Sequence, residues 1–129
     1  MNGTLNDQTS IYLQIAQNLE NDLLRGIYLE EEQVPSTNEL ARIYNINPAT
    51  AAKGVNLLAA EGILYKKRGI GMFVASGACE KVRAKRKSAF VNDYVKEMVR
   101  ESRRLNISAE ELLELVACAA GEEREEDAE

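Results

Sequence analysis

Three short stretches of the chain carry side chains suited to binding an anion at close range. The first is Ser36, Thr37 and Asn38. The second is Asn47, Pro48, Ala49, Thr50, Ala52 and Lys53, within NINPATAAKGV. The third is Lys66, Lys67 and Arg68 beside Gly69, within ILYKKRGIGMFVA. Hydroxyls, carboxamides and cations donate to phosphate oxygens or base edges, and an alanine methyl can touch a thymine methyl. This is the chemistry of nucleic-acid recognition rather than of bond making.

The groups that make and break bonds are missing. Histidine is absent, which removes the commonest general base and metal ligand. No G-x-S-x-G, P-loop or paired-cysteine motif occurs. RGIGM resembles a phosphate loop only superficially, because it lacks the helix start and the remaining glycines. Cys79 and Cys118 are far apart, form no metal-ligand spacing, and read as free thiols of a reducing compartment. The chain is therefore read as neither an enzyme nor the holder of a cofactor or metal.

The three stretches need elements to position them. Residues 10–25 place Tyr12, Ile15, Ala16, Leu19 and Leu23 at helical spacing, with Thr9 or Ser10 to cap the start and Gly26 to end it. Residues 27–34 read as a connector with an acidic cluster, Glu30 to Glu32. Ser36 and Glu39 form a capping box that opens a second, short helix ending near Tyr44, with Leu40 and Ile43 facing inward. Asn47 and Pro48 are a cap and a first helical residue, and a third helix runs from them to Gly62. Gly54 inside it costs about 1 kcal/mol relative to alanine, which points to close packing there.

Two strands, 63–66 and 72–75, then flank a turn that carries the three cations at its tip. A further helix is expected over about 77–105. Ser108 and Glu111 form a second capping box before LLELVACAA, and GEEREEDAE has the composition of a solvated, disordered tail.

A second helix joined to a third by a few residues is the unit that sets a helix in the DNA major groove. Ala41 lies where the two would cross, and Asn45 suits a turn position of positive φ. Ile46 and Ala51 can pack inward, leaving Ala49, Thr50 and Lys53 outside. The same pattern also fits a three-helix packing unit with no DNA role, and the charged turn taken alone fits a hairpin tip kept soluble by lysine and arginine. Taken together, they read as a helix-turn-helix followed by a wing. An arginine at such a tip can enter a narrow minor groove.

The formal net charge of −5 is unevenly spread: −2 over residues 1–75, +5 over 76–106 and −8 over 107–129. The whole-chain charge is thus a poor guide to the partner. Hydrophobic residues make up 45% and charged residues 29%, which suits a soluble globular chain. No apolar run approaches the roughly 20 residues needed to cross a membrane. MNGTLNDQTS has neither a basic region nor an apolar stretch, so it is not read as a secretory signal; a cytoplasmic protein is expected.

Residues 11–75 resemble the DNA-binding domain of the GntR family of bacterial transcription regulators. The resemblance rests on IYLQIAQNL, LLRGIY, PSTNELARIYNI, NPATAAKGVNLLAAEGIL and RGIGMFVA, in the family's order and spacing. The short C-terminal part is similar to the YtrA subfamily. The resemblance implies a mainly α fold with a small β-hairpin wing and a homodimer on a palindromic operator, and a repressor is the role expected. Family contacts would fall at Ser36 to Asn38, at Asn47 to Thr50 with Ala52 and Lys53, and at Arg68 and Gly69. Many relatives carry arginine at the positions of Asn38, Pro48 and Ala52. Without it, guanine readout by the third helix is weakened and weight shifts to Asn38, Asn47, Thr50, Lys53 and the wing.

Three segments follow: a winged helix-turn-helix over 1–75, helical dimerisation over 76–120, and an acidic tail over 121–129. Within 80–104, Arg83, Lys85, Arg86 and Lys87 are either phosphate contacts or a solvated face, and the solvated face is preferred. LLELVACAA is apolar enough to need a partner, and a two-fold interface would supply it. About 50 residues leave little room for a closed ligand pocket, so no dedicated effector domain is expected. A winged-helix module for protein contacts, without specific DNA binding, is the other reading.

Overall fold

A computed structural model describes residue 5 and residues 9–128, with side chains through 125. The N-terminal segment before Leu5 and the last residue of the tail, for which a non-signal start and a disordered end were expected, lie outside the described residues. The order of elements is α1 (Ile11–Leu24), α2 (Thr37–Tyr44), α3 (Pro48–Ala60), β1 (Leu64–Lys67), β2 (Gly71–Val74), α4 (Ala78–Phe90), a π turn (Val91–Val95), α5 (Lys96–Arg104) and α6 (Ala109–Ala128). The chain divides into two compact units, residues 1–86 and 87–129.

Local signals set the helix ends of the first unit. The Ser36 hydroxyl accepts from the Glu39 N–H and the Glu39 carboxylate accepts from the Ser36 N–H, both at 3.1 Å. These bonds hold the Glu39 carboxyl below its ordinary range. Asn45 ends α2 at φ 53°. Asn47 Oδ1 accepts from the Ala49 N–H at 2.8 Å, and Pro48 is the first residue of α3.

The core joins Ile15, Leu19 and Leu23 of α1, Leu40 and Ala41 of α2, and Ala51, Val55 and Leu58 of α3. Ile63, Leu64 and Val74 of the hairpin and Ala78 and Val82 of α4 complete it. Each large aliphatic side chain buried this way contributes about 1.5–3 kcal/mol. Ile43 is not among them and is half exposed. Leu40, Ala41 and Tyr44 define the inner face of α2, and Ile43 sits roughly a quarter turn off it at 3.6 residues per turn.

Gly54 is buried against α1. A Cβ placed there would come 2.8 Å from the Tyr12 carbonyl oxygen and 3.1 Å from Ile15 Cβ. The glycine is what lets the two helices approach.

The connector after α1 is more than a loop. The Glu31 N–H donates to Val74 O at 2.8 Å, the Val74 N–H to Glu32 O at 2.9 Å, and the Val34 N–H to Met72 O at 3.0 Å. Residues 31–34 thus lie along β2 opposite β1, with Gln33 bridged to Phe73. The acidic cluster is engaged side chain by side chain. Glu30 accepts from the Gly77 N–H at 2.7 Å, Glu31 from the Tyr65 hydroxyl, and Glu32 from the Leu29 N–H at 3.0 Å. The Glu31 carboxylate raises the Tyr65 phenol above its ordinary value.

The first unit also reaches past residue 75, because α4 is bound to α1 and to the end of α3. Lys85 Nζ lies 2.8 Å from both Glu20 Oε2 and Glu61 Oε2. Arg86 donates to Glu20 at 3.2 Å and to Gln17 O at 3.0 Å, and also bonds Asn21. Glu20 is only 2% exposed. Lys85 and Arg86 are therefore engaged by carboxylates rather than free on a solvated face; they act as clamps between helices. Burial pulls the Lys85 ammonium down, yet its bonds to Glu20 and Glu61 outweigh that and leave it above its ordinary value. Glu20→Gln would take a charged partner from both half-exposed cations, leaving Lys85 with Glu61 alone. It is expected to cost about 1–2 kcal/mol, read as a lower thermal midpoint by circular dichroism.

In the second unit, α4 runs through the π turn into α5 where a single α-helix was expected. Asn106 at φ 57° closes α5, and the Ser108 hydroxyl accepts from the Glu111 N–H at 3.1 Å to start α6. α6 continues through residues 121–128, where composition alone points to a disordered tail. Extending a nucleated helix adds one hydrogen bond per residue, and Glu, Arg and Ala are good helix formers. Phe90, Val91, Tyr94 and Met98, with Leu113, Leu115 and Val116, stay exposed.

Candidate nucleic-acid interface

The sequence-predicted residues fall on three edges of the first unit. At the start of α2, Ser36 and Thr37 are half-buried and Asn38 is exposed. The Ser36 hydroxyl oxygen is occupied by its cap, but its O–H can still donate. The Thr37 and Asn38 N–H groups have no partner among the described residues, so this helix start offers backbone donors to an anion.

The start of α3 differs. Pro48 has no N–H, and the N–H groups of Ala49, Thr50 and Ala51 all bond Asn47. What α3 presents is side chains: exposed Asn47, Pro48, Ala49 and Lys53, with half-buried Thr50 and Ala52. The Asn47 carboxamide has its oxygen turned to the helix, which leaves its NH₂ to donate outward. Lys53 Nζ sits 4.0 Å from the centroid of the Tyr12 ring. That cation–π contact steadies a long side chain without neutralising it.

The wing corrects the expected tip. Register pairs Leu64 with Val74, Tyr65 with Phe73, Lys66 with Met72 and Lys67 with Gly71. Lys66 and Lys67 therefore belong to β1, and the turn itself holds Arg68, Gly69 and Ile70. The Ile70 N–H donates to Lys67 O at 2.9 Å, and Gly69 takes φ 79°, the left-handed value a type II turn needs at that place. Lys66 and Lys67 point to opposite faces. Lys67 lies 4.1 Å from the Phe73 ring centroid and 5.9 Å from that of Tyr65, so it stacks on the hairpin's own aromatics. Arg68 is exposed at the turn, and Ile70 is 63% exposed beside it.

Sequence reasoning missed Tyr12 and Gln33 as functional neighbours. Tyr12 reads as one more apolar residue of a helical stripe, and no local signal marks Gln33. Among the described residues no cluster of His, Cys, Asp or Glu could hold a metal ion, both cysteines are free, and no helix is long and apolar enough to cross a membrane.

A capped two-helix unit followed by a two-stranded hairpin, with residues 31–34 bonded along β2, defines a winged helix-turn-helix. The family model described as bacterial regulatory proteins, gntR family, matches residues 11–74. The HTH-type transcriptional repressor YtrA of Bacillus subtilis is 30% identical over 108 residues, which is 84% of this chain and 82% of that one. A GntR-family transcriptional regulator from Bacteroides thetaiotaomicron superposes with a TM-score of 0.79 at 36% identity, over 88% of this chain and 99% of the other. The chain belongs to the GntR family and is a YtrA-like transcriptional regulator. Longer relatives share less: the chain spans 29% of the length of the "Probable fructoselysine utilization operon transcriptional repressor" of Escherichia coli K12, at 36% identity over 70 residues. The N-terminal domain of AraR, solved in complex with mutant ORR3, superposes at a TM-score of 0.52 and 27% identity, over 54% of this chain and all of that one.

Proposed function

We propose that the protein is a repressor that binds a palindromic DNA operator as a homodimer. α3 lies in the major groove, presenting Asn47, Thr50 and Lys53 to base edges and phosphates and the methyls of Ala49 and Ala52 to thymines. Ser36, Thr37 and Asn38 grip the backbone, and Arg68 with Gly69 approaches it or the minor groove. The observation that carries this reading is that all three donor-bearing stretches lie in the first unit, whose fold is like the AraR DNA-binding domain solved with operator ORE1.

The recognition helix has no arginine for bidentate guanine contact. More of the discrimination then falls to carboxamides, methyls and DNA shape. The second unit supports the dimer. Its 43 residues leave a row of large apolar side chains uncovered, and a second copy of the same chain is the partner that symmetry supplies.

Fluorescence anisotropy with duplex from upstream of the protein's own gene, at two salt concentrations, tests the reading. Lys53, Lys66 and Arg68 of two protomers would neutralise about six phosphates, giving a slope of log K against log salt of about −5. Equal affinity for scrambled duplex would remove the specific-regulator reading. Salt-indifferent binding would favour a protein-contact module.

A further inference from the structure

We propose that Gln33 is a positioning residue for the wing tip, acting on DNA binding through Arg68; this rests on the wing being a DNA contact. Two observations meet at its side chain. Gln33 Nε2 donates to the Ile70 carbonyl at 3.0 Å, so the last residue of the turn is bonded from outside the hairpin. A Cβ at Gly71 would stand 2.5 Å from the same nitrogen, so the carboxamide occupies the space that glycine leaves open. Gly71 also has φ 145°, a conformation that L side chains rarely adopt. The turn residue and the glycine after it are thus shaped around one side chain 37 positions earlier.

A hairpin of two four-residue strands is marginal by itself. Its inner end is held by Leu64 and Val74 in the core, but its outer end is exposed from Lys66 to Ile70. Gln33 supplies the hold at that end. It sits on the connector segment bridged to β2, next to buried Val34 and three residues before the Ser36 cap. The start of α2 and the wing tip are therefore set by one continuous piece of backbone. A tip fixed before DNA arrives loses less conformational entropy on binding than one that must be ordered there.

The test is a double-mutant cycle on operator affinity with Gln33→Met and Arg68→Ala. Methionine keeps the length and loses the donor. With Arg68 present, Gln33→Met is expected to weaken binding about 3- to 10-fold. In the Arg68→Ala background the same change is expected to cost less than about 2-fold, because the group being positioned is gone. A simple structural role would not produce that coupling, since it would weaken both backgrounds alike. Equal losses in the two backgrounds overturn the proposal. So does no loss from Gln33→Met while Arg68→Ala weakens binding, and in that case the wing reading survives. If Arg68→Ala leaves affinity and salt slope unchanged, the wing is not a DNA contact and both fall.

Discussion

A chain carrying Tyr94→Glu and Met98→Glu is expected to be monomeric at micromolar concentration and to lose operator affinity by about two to four orders of magnitude. The stripe these residues belong to is exposed: Phe90 is 54%, Tyr94 66% and Met98 38% accessible. The Phe90 and Tyr94 rings already touch, with centroids 5.6 Å apart. Steps of four residues overshoot an α-turn of 3.6 and would drift around the helix. The π turn over Val91–Val95 takes more residues per turn and absorbs that drift, which keeps the three side chains in a row. Glutamates in the middle of the row would be buried unpaired in any two-fold interface. Each half-site would then be bound alone, and the second binding event would no longer be intramolecular. Mass by light scattering and anisotropy on the full operator read the two effects separately. A variant that stays dimeric would show that the stripe is not the interface.

Gly54→Ala is expected to lower stability even though alanine is the better helix former. The propensity gain is about 1 kcal/mol. Against it, the new methyl meets the Tyr12 carbonyl oxygen at 2.8 Å and Ile15 Cβ at 3.1 Å. One of these is backbone and neither is the far end of a flexible chain, so α1 must move away from α3. Overpacking of this kind costs about 1–3 kcal/mol. The net loss, up to about 2 kcal/mol, lowers the thermal midpoint by up to several degrees in a domain of this size. Gly54→Val, with two more carbons in the same space, should lose more. DNA binding should weaken as well, because Tyr12 would carry its ring away from Lys53. A rise in midpoint for Gly54→Ala would refute the close-packing account.

The parts of this fold legible in the sequence are those set by neighbours a few residues apart. The Ser36–Glu39 box, the Asn47 cap with Pro48 and the left-handed Asn45 are local chemistry. Gly54 could be flagged because an unfavourable residue in a helix interior asks for a reason. The wing's strands, 64–67 and 71–74, each lie one residue nearer the turn than expected, which takes Lys67 into β1. The rest depended on contacts between distant residues. Glu20 clamps Lys85 and Arg86 across some 65 positions, and Gln33 meets Ile70 across 37. Nothing beside Lys85 distinguishes it from a solvated lysine, since its partner is a buried carboxylate on another helix. Ile43 was assigned inward on spacing that a helix of barely two turns cannot define.

The commitment of Lys85 and Arg86 to Glu20 and Glu61 bears on how the protein would find its operator. Random duplex holds a regulator chiefly through uncommitted positive charge. Two of the cations in the most basic stretch of this chain are held by carboxylates, and Lys67 lies against its own hairpin. Less uncommitted charge is then left to retain a molecule on a sequence that Asn47, Thr50 and Lys53 do not match. A larger share of copies would be free in solution between encounters, and fewer would be sequestered along the chromosome. A small population could then keep one operator occupied, and that occupancy would track changes in the number of molecules closely.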